Sequence, residues 1–376
     1  MSRPSNSSDS RFSRRSFIRR GSGAGIALLL PELVGPAGAY GAAAAHDHQA
    51  VGDTGWKEFK PLAPFVEPEV RRSRNGELST TLGMQYAYKD IGGYRLYLRT
   101  YEGTVPGPTL RLKPGDVLRI KLVNDMPPNR DAEPIDHSLP HQLNNTNFHS
   151  HGLHVSPGGI SDNVMRVMEP GKSYDIEIAI PADHIPGTNW YHPHMHGSAD
   201  VQIASGALGA LIIEGDFTDV PEVAAAQERL LVLTEAVFDS FGMVEGMATL
   251  FPETAARFLA VNGLREPTIT MRPGEVQRWR LLHGGWQDDI FIELEGHKLN
   301  PIARDGIPLS RMGLTVPRKP DRPTDFPNAM LMAPGQRIWL PRSPRCRPWG
   351  SADSSSGVDG RGASNAGGIL GSSICA

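Results

Sequence analysis

From Leu78 onward the chain is a succession of short apolar or alternating runs, each cut off by Gly, Pro or Asn, with no long segment of helical periodicity among them. A chain punctuated by 32 prolines and 41 glycines cannot propagate long helices, so the expected class is all-β. Strand-length runs fall at Tyr94–Tyr101, Asp116–Val123, Asn147–Val155, Ser173–Ile180 and Ala207–Glu214. After Gly215-Asp216, the polar, helix-tolerant stretch Pro221–Arg229 reads as a connector, and strands resume at Leu230–Val237. Further runs follow at Thr268–Met271, Glu275–Leu282, Asp289–Leu294 and Gln336–Leu340, with turns at Arg272-Pro273-Gly274 and Asp305-Gly306. The segments Leu112–Arg119 and Met271–Arg278 echo each other as strand, Pro-Gly turn and strand, which predicts two related β-sandwiches in tandem, one within 55–216 and one within 227–341.

The two ends of the chain read differently. Arg14-Arg15 followed by Phe17, an apolar stretch around Ile26–Leu30 and the small-residue run Gly35–Ala45 resemble the bacterial twin-arginine (Tat) export signal. Pro31, Glu32 and Pro36 interrupt the apolar part, so no membrane span is expected there. The resemblance implies a periplasmic or secreted protein, cleaved near Ala45, that folds before it is exported. At the other end, residues 342–376 hold eight Ser and seven Gly and no strand-length apolar run, as a disordered tail would. The change follows directly on the strand-like Ile338-Trp339-Leu340; a shifted reading frame and an ordinary flexible tail both explain it.

Net charge is −3, and residues 1–45 contribute six Arg against Asp9 and Glu32, so the remainder is the more acidic part. That balance argues against a nucleic-acid partner, which requires a basic footprint. Cys346 and Cys375, the two cysteines, have no histidine or CxxC neighbourhood and cannot form a disulfide framework.

Nine of the 13 histidines lie between His137 and His196. Residues i and i+2 of a strand share a face, so His149 and His151 project together, and His192 and His194 do likewise from a strand over Trp190–His194. Two such strands facing each other would hold a metal cluster. An imidazole set without thiolate suits copper, zinc, iron or nickel, and ligand type alone does not choose among them. His154 has the opposite parity and points away. His196 is placed to hydrogen-bond around the ligands, while His137, His141 and His184 sit in loop sequence and read as surface residues. Trp190 and Tyr191 read as core aromatics flanking the site.

The segments Gly103–Leu110, Asn147-Phe-His-Ser-His-Gly-Leu-His154, Asn189-Trp-Tyr-His-Pro-His-Met-His-Gly197 and Gly206–Ile213 resemble the motifs of the multicopper oxidases, laccase-like enzymes built of tandem cupredoxin domains. The resemblance continues through Val261-Asn262-Gly263 and Met332–Arg337, over about residues 78–340. It implies cupredoxin-like Greek-key β-sandwiches and copper as cofactor. It gives His149 to a type 2 copper and His151, His192 and His194 to the type 3 pair. Asp162 matches, with different spacing, an acidic residue that moves protons to oxygen intermediates; its plainer reading is a turn aspartate bonded to its own backbone.

The family's remaining ligands, including the His-Cys-His motif of the type 1 copper, are absent from this sequence, and no histidine follows His297. The second sandwich, with His283 and His297, resembles the family's ligand-free middle domain. The expectation is an oxidoreductase by descent that couples oxidation of a phenolic or metal-ion substrate to reduction of dioxygen to water, truncated and without its type 1 site. A separate third-domain polypeptide or a homo-oligomer would be its partner. The alternative is an exported, non-catalytic cupredoxin-type copper-binding or interaction protein.

Overall fold

The computed structural model describes residues 63–130, 139–250, 256–272, 274–294, 299–309 and 329–342; the export-signal reading, His137, His297 and the 343–376 tail lie outside them. Strand alternation builds the first sandwich. In β5 (Val117–Asn124) Leu118, Ile120 and Leu122 are buried while Arg119 and Lys121 face solvent. That strand lies in a four-stranded sheet ordered β3-β2-β5-β7, with β2 Glu77–Ile91, β3 Tyr94–Tyr101 and β7 Ser173–Ala179. Facing it is a five-stranded sheet ordered β1-β4-β9-β8-β6, made of β1 Val70–Arg72, β4 Thr109–Leu112, β9 Gly209–Ile213, β8 Gly187–His192 and β6 His149–His151. Leu82, Leu110, Leu118, Ile178, Tyr191 and Leu211 are among the side chains that fill the space between the sheets.

Strand β9 is buried throughout because both its faces are covered. Leu211 and Ile213 belong to the first core, whereas Ala210 and Ile212 pack against Leu230, Val232 and Leu282 of the second sandwich. The second sandwich has a six-stranded sheet ordered β11-β10-β12-β17-β14-β15, made of β10 Gln227–Phe238, β11 Ala256–Val261, β12 Gln277–His283, β14 Ala303–Arg304, β15 Ile307–Pro308 and β17 Arg337–Arg342. A two-stranded sheet pairs β13 (Ile290–Ile292) with β16 (Met330–Met332). The helices α1 (Ala199–Ala204), α2 (Pro221–Ala224) and α3 (Met247–Leu250) are each a turn or so long, and no described helix is long and apolar enough to cross a membrane.

The sequence echo is a repeat in three dimensions. β2 pairs antiparallel with β3 and parallel with β5, and β10 pairs antiparallel with β11 and parallel with β12. The two Pro-Gly turns close alike: Lys113 N–H donates to the Asp116 carboxylate at 2.7 Å and Arg272 N–H to that of Glu275 at 2.8 Å.

Three expected strands differ, Asp289–Leu294 shortening to β13 (Ile290–Ile292). Thr268–Met271 forms no named strand; Thr268 instead brackets the incoming chain, exchanging backbone bonds with Ala63 and Phe65 at 2.9 Å. The Asn147–Val155 run shortens to β6 because Gly152 turns out of the ladder at φ 100°.

A buried charge cluster joins the sandwiches. The Arg280 guanidinium, 1% exposed, grips Asp216 through two bonds of 2.9 and 3.1 Å and donates to Thr188 Oγ1 at 2.9 Å. It also lies 3.4 Å over the Trp339 ring. Burial acts to raise the Glu228 pKa, but Arg280, Arg111 and Arg278 outweigh it and hold the carboxylate at about 2.

Candidate metal centre

The histidines meet at the open edge of the five-stranded sheet. β6 and β8 are hydrogen-bonded neighbours rather than facing strands, in the register His149↔His192, Ser150↔Tyr191 and His151↔Trp190. Directly opposed residues share a face, so His149, His151, His192 and Trp190 project from one side. Trp190, a buried core aromatic, flanks the site as its wall: it stacks on His192 at 4.1 Å between ring centroids and lies 4.9 Å from His151. β8 ends at His192 because Pro193 has no N–H to continue the ladder, so His194 stands beyond the strand instead of within it.

Donor atoms of His149, His151 and His192 all lie within 4.8 Å of one another. His194 is outside that compact set, its ring 5.2 Å from His149 and 6.0 Å from His192. The tightest pair is His151 Nδ1 and His192 Nε2 at 3.3 Å. Two imidazole nitrogens this close share either one proton or one cation, and two bonds of ~2.0–2.1 Å to a single ion accommodate the separation. His192 Nδ1 faces the Pro193 carbonyl at 2.9 Å, so it is the ring's donor and leaves the Nε2 lone pair directed at His151. Burial drives the His192 pKa well below its ordinary value. Burial, with the charges of Arg337 and His149, brings His151 down to about 4. Both rings are therefore neutral, the state a metal requires.

Asp162, 8% exposed, reaches this edge from the loop after β6. Its carboxylate lies 3.1 and 3.2 Å from His149 Nδ1 and accepts the Ser150 N–H at 2.8 Å. A proton on His149 Nδ1 leaves Nε2 free as a donor to metal.

Other histidines sort differently. His154 is exposed and lies against His184, not the cluster. His184 is not a surface residue: at 8% exposure it accepts the His154 N–H at 3.1 Å and faces the Ile185 carbonyl at 2.9 Å, so both ring nitrogens are engaged in fastening the loop. His141 is half-buried, its ring against Gly197, and His196 is exposed with its ring 6.3 Å from His194. Asn147 is a site residue whose role its sequence position does not disclose. Fully buried, it accepts the His194 N–H at 2.6 Å and donates to the Val164 carbonyl at 2.7 Å, which ties the ligand strand to the Asp162 loop. Asn144, Asn145 and Thr146 precede it, so nothing local in the sequence singles it out.

Neutral imidazoles gathered at a sheet edge form a group that could hold a metal ion, in a cupredoxin-like, all-β protein. Two family models, each described as Multicopper oxidase, match residues 139–217 and 185–315. The chain belongs to the multicopper oxidase family, which implies copper and an oxidoreductase lineage. It is 29% identical over 242 residues to the multicopper oxidase mco of Staphylococcus aureus, covering 63% of this chain and 49% of that protein. To the multicopper oxidase MmcO of Mycobacterium tuberculosis it is 25% identical, with 80% and 57% covered. The crystal structure of a laccase from Pediococcus acidilactici shares the fold with a TM-score of 0.59 at 17% identity, over 76% of this chain and 57% of that one. The chain thus spans about half the length of the curated relatives it matches.

Proposed function

We propose that the face formed by His149, His151, His192 and His194 binds copper as one half of an oxygen-reducing centre, in a protein exported by the Tat route to the periplasm or beyond. The observation that carries this is the His151 Nδ1 to His192 Nε2 approach of 3.3 Å between a half-buried and a buried ring, both held neutral. In this reading His149 serves a type 2 copper, and the other three serve the type 3 pair. The remaining ligands and a type 1 copper come from a third domain not among these residues. Bound copper would supply the electron transfer that couples oxidation of a phenolic or metal-ion substrate to dioxygen reduction.

The chain's own residues hold the rings. Asp162 orients His149 and is the carboxylate placed to hold a proton beside the centre; Asn147 fixes the backbone of His194; Trp190 excludes water from one side of His151 and His192. Ile160, Met165 and Val167, each more than half exposed on the Asp162 loop, support docking of a third domain there.

The test is copper per chain by elemental analysis, together with oxygen uptake on a phenol, for the full chain and for His149→Ala and His192→Ala. Copper bound by the parent and lost from the variants, without oxygen uptake, is the expected result. Uptake by the chain alone would mean that a complete centre assembles across copies. A copper-loaded chain that gains no activity when a third-domain polypeptide is supplied would favour a non-catalytic copper-binding protein.

A further inference from the structure

The second sandwich places the buried Arg337, with Asp305 beside it, against the histidine face. Strand β6 stops at His151, paired with Trp190, and Gly152 turns away, so the Thr188 carbonyl two residues back along β8 lacks a β6 partner. Arg337, the first residue of β17 and 5% exposed, fills the gap: its Nε donates to Thr188 O at 3.0 Å. Its Nη1 donates to Gly335 O at 3.1 Å and its Nη2 to Asp305 O at 3.0 Å. The chain leaving His151 lies on this guanidinium, for a Cβ on Gly152 would stand 2.5 Å from Arg337 Nη2. On the other side, a Cβ on Gly335 would stand 3.3 Å from His151 Cε1.

A buried guanidinium beside a cation site opposes cation binding by Coulomb repulsion, here reduced by the Asp305 carboxylate 3.5 Å from its Nη1. Any contribution it makes to holding a metal must therefore be geometric. We propose that Arg337 is a positioning residue for the metal half-site: it takes the hydrogen-bond position that β6 leaves empty and so fixes Gly152 and the His151 ring, keeping Nδ1 in reach of His192 Nε2. The inference rests on the reading of this face as a copper site. It makes the second sandwich, which supplies none of the proposed ligands, a determinant of ligand geometry. A lysine cannot substitute, because a point charge on a flexible stem does not reproduce a planar fork that serves three carbonyls.

The test compares the full chain with Arg337→Met, Arg337→Lys and Asp216→Asn, the last loosening the Arg280 clamp between the sandwiches without touching the histidine face. Without metal, long-range proton–nitrogen NMR spectra of the imidazoles are expected to move for His151 and His192 in both Arg337 variants. With copper(II), affinity is expected to fall about 10–100-fold, as for loss of a group that orients a ligand, with an altered EPR hyperfine pattern. Asp216→Asn is expected to lower the denaturation midpoint while leaving both signatures parental. Unchanged ring spectra, with equal or tighter copper binding in Arg337→Met, would overturn the proposal, because relief of repulsion alone tightens binding. If Arg337→Met does not fold, Arg337→Lys decides by the same criteria. Ring spectra that move in a parent that takes up no copper would leave the positioning role standing and remove the copper reading instead.

Discussion

In the first sandwich the strands of one sheet run β3-β2-β5-β7, and in the second they run β11-β10-β12-β17, with the same parallel and antiparallel pairings. Each also holds a deeply buried histidine at the end of a strand: His192 closes β8 and His283 closes β12. The surroundings of the two rings differ. His192 Nε2 meets a second imidazole at 3.3 Å, whereas His283 Nδ1 accepts the Gly285 N–H at 3.2 Å and its Nε2 stands 4.0 Å from Glu235 Oε1, beyond hydrogen-bond reach. Burial is the main cause that holds both rings neutral, joined at His192 by the neighbouring imidazoles and acting against a backbone hydrogen bond at His283, which it brings down to about 4. Neutral, buried histidine is therefore not what makes a metal site; convergence of lone pairs across a strand register is.

The largest expected contrast follows directly. His192→Ala should abolish copper uptake, a loss greater than the roughly 10–100-fold associated with groups that only orient a ligand. His283→Ala should leave copper per chain at the parental value while lowering stability. Equal copper loss in both variants, measured by elemental analysis after dialysis, would erase the distinction. Next in size is the seam between the sandwiches: Asp216→Asn removes the bidentate partner of Arg280 while Glu228, 2.7 Å from its Nε, still compensates the charge, and should cost about 1–3 kcal/mol in urea denaturation. A change within experimental error would show that the two sandwiches do not depend on this clamp.

The pH dependence separates the same two histidines. His283 has a folded pKa of about 4 against an ordinary 6.5, so between those values the unfolded chain binds the extra proton. Its contribution is fully present above pH 6.5 and is lost as pH falls toward 4, roughly 3 kcal/mol in all. Replacing it with Gln in the copper-free protein should flatten the stability curve over that window. An unchanged slope would assign the window to His151 and His192 alone.

Legibility in the sequence followed burial. Tyr94–Tyr101 coincides with β3, and Ser173–Ile180 exceeds β7 by one residue, because an alternating or fully apolar run records locally which faces are covered. Thr268–Met271 was not legible as what it is, since its partners Ala63 and Phe65 lie some 200 residues away and leave no local trace. At the site, i and i+2 parity placed His149 and His151 on one face. It could not supply the register His149↔His192 that makes β6 and β8 neighbours, nor the Pro193 stop that sets His194 apart. His184 was read as a surface residue because its loop is polar; its burial comes from bonds to His154 and Ile185 that sequence spacing does not encode. Asn147 and Arg337 were both inside recognised motifs, but their partners belong to other strands, so their roles became visible only in three dimensions.

The smallest expected effect concerns Asp162, where the two readings of one residue make different demands. As a turn aspartate it would bond only to its own loop, and Asp162→Asn would alter stability slightly and copper not at all. The carboxylate instead spans His149 Nδ1 and the Ser150 N–H. An asparagine that keeps its carbonyl on Ser150 turns an amide N–H toward His149 Nδ1. That favours a lone pair on Nδ1 and moves the ring proton to Nε2, where the metal should bind. Copper affinity at this face is then expected to fall about 10–100-fold with little change in the unfolding midpoint. His149→Ala combined with Asp162→Asn should lose no more than His149→Ala alone, because the aspartate acts through that ring. Full additivity in this double-mutant cycle would show that Asp162 reaches the copper by some route other than His149.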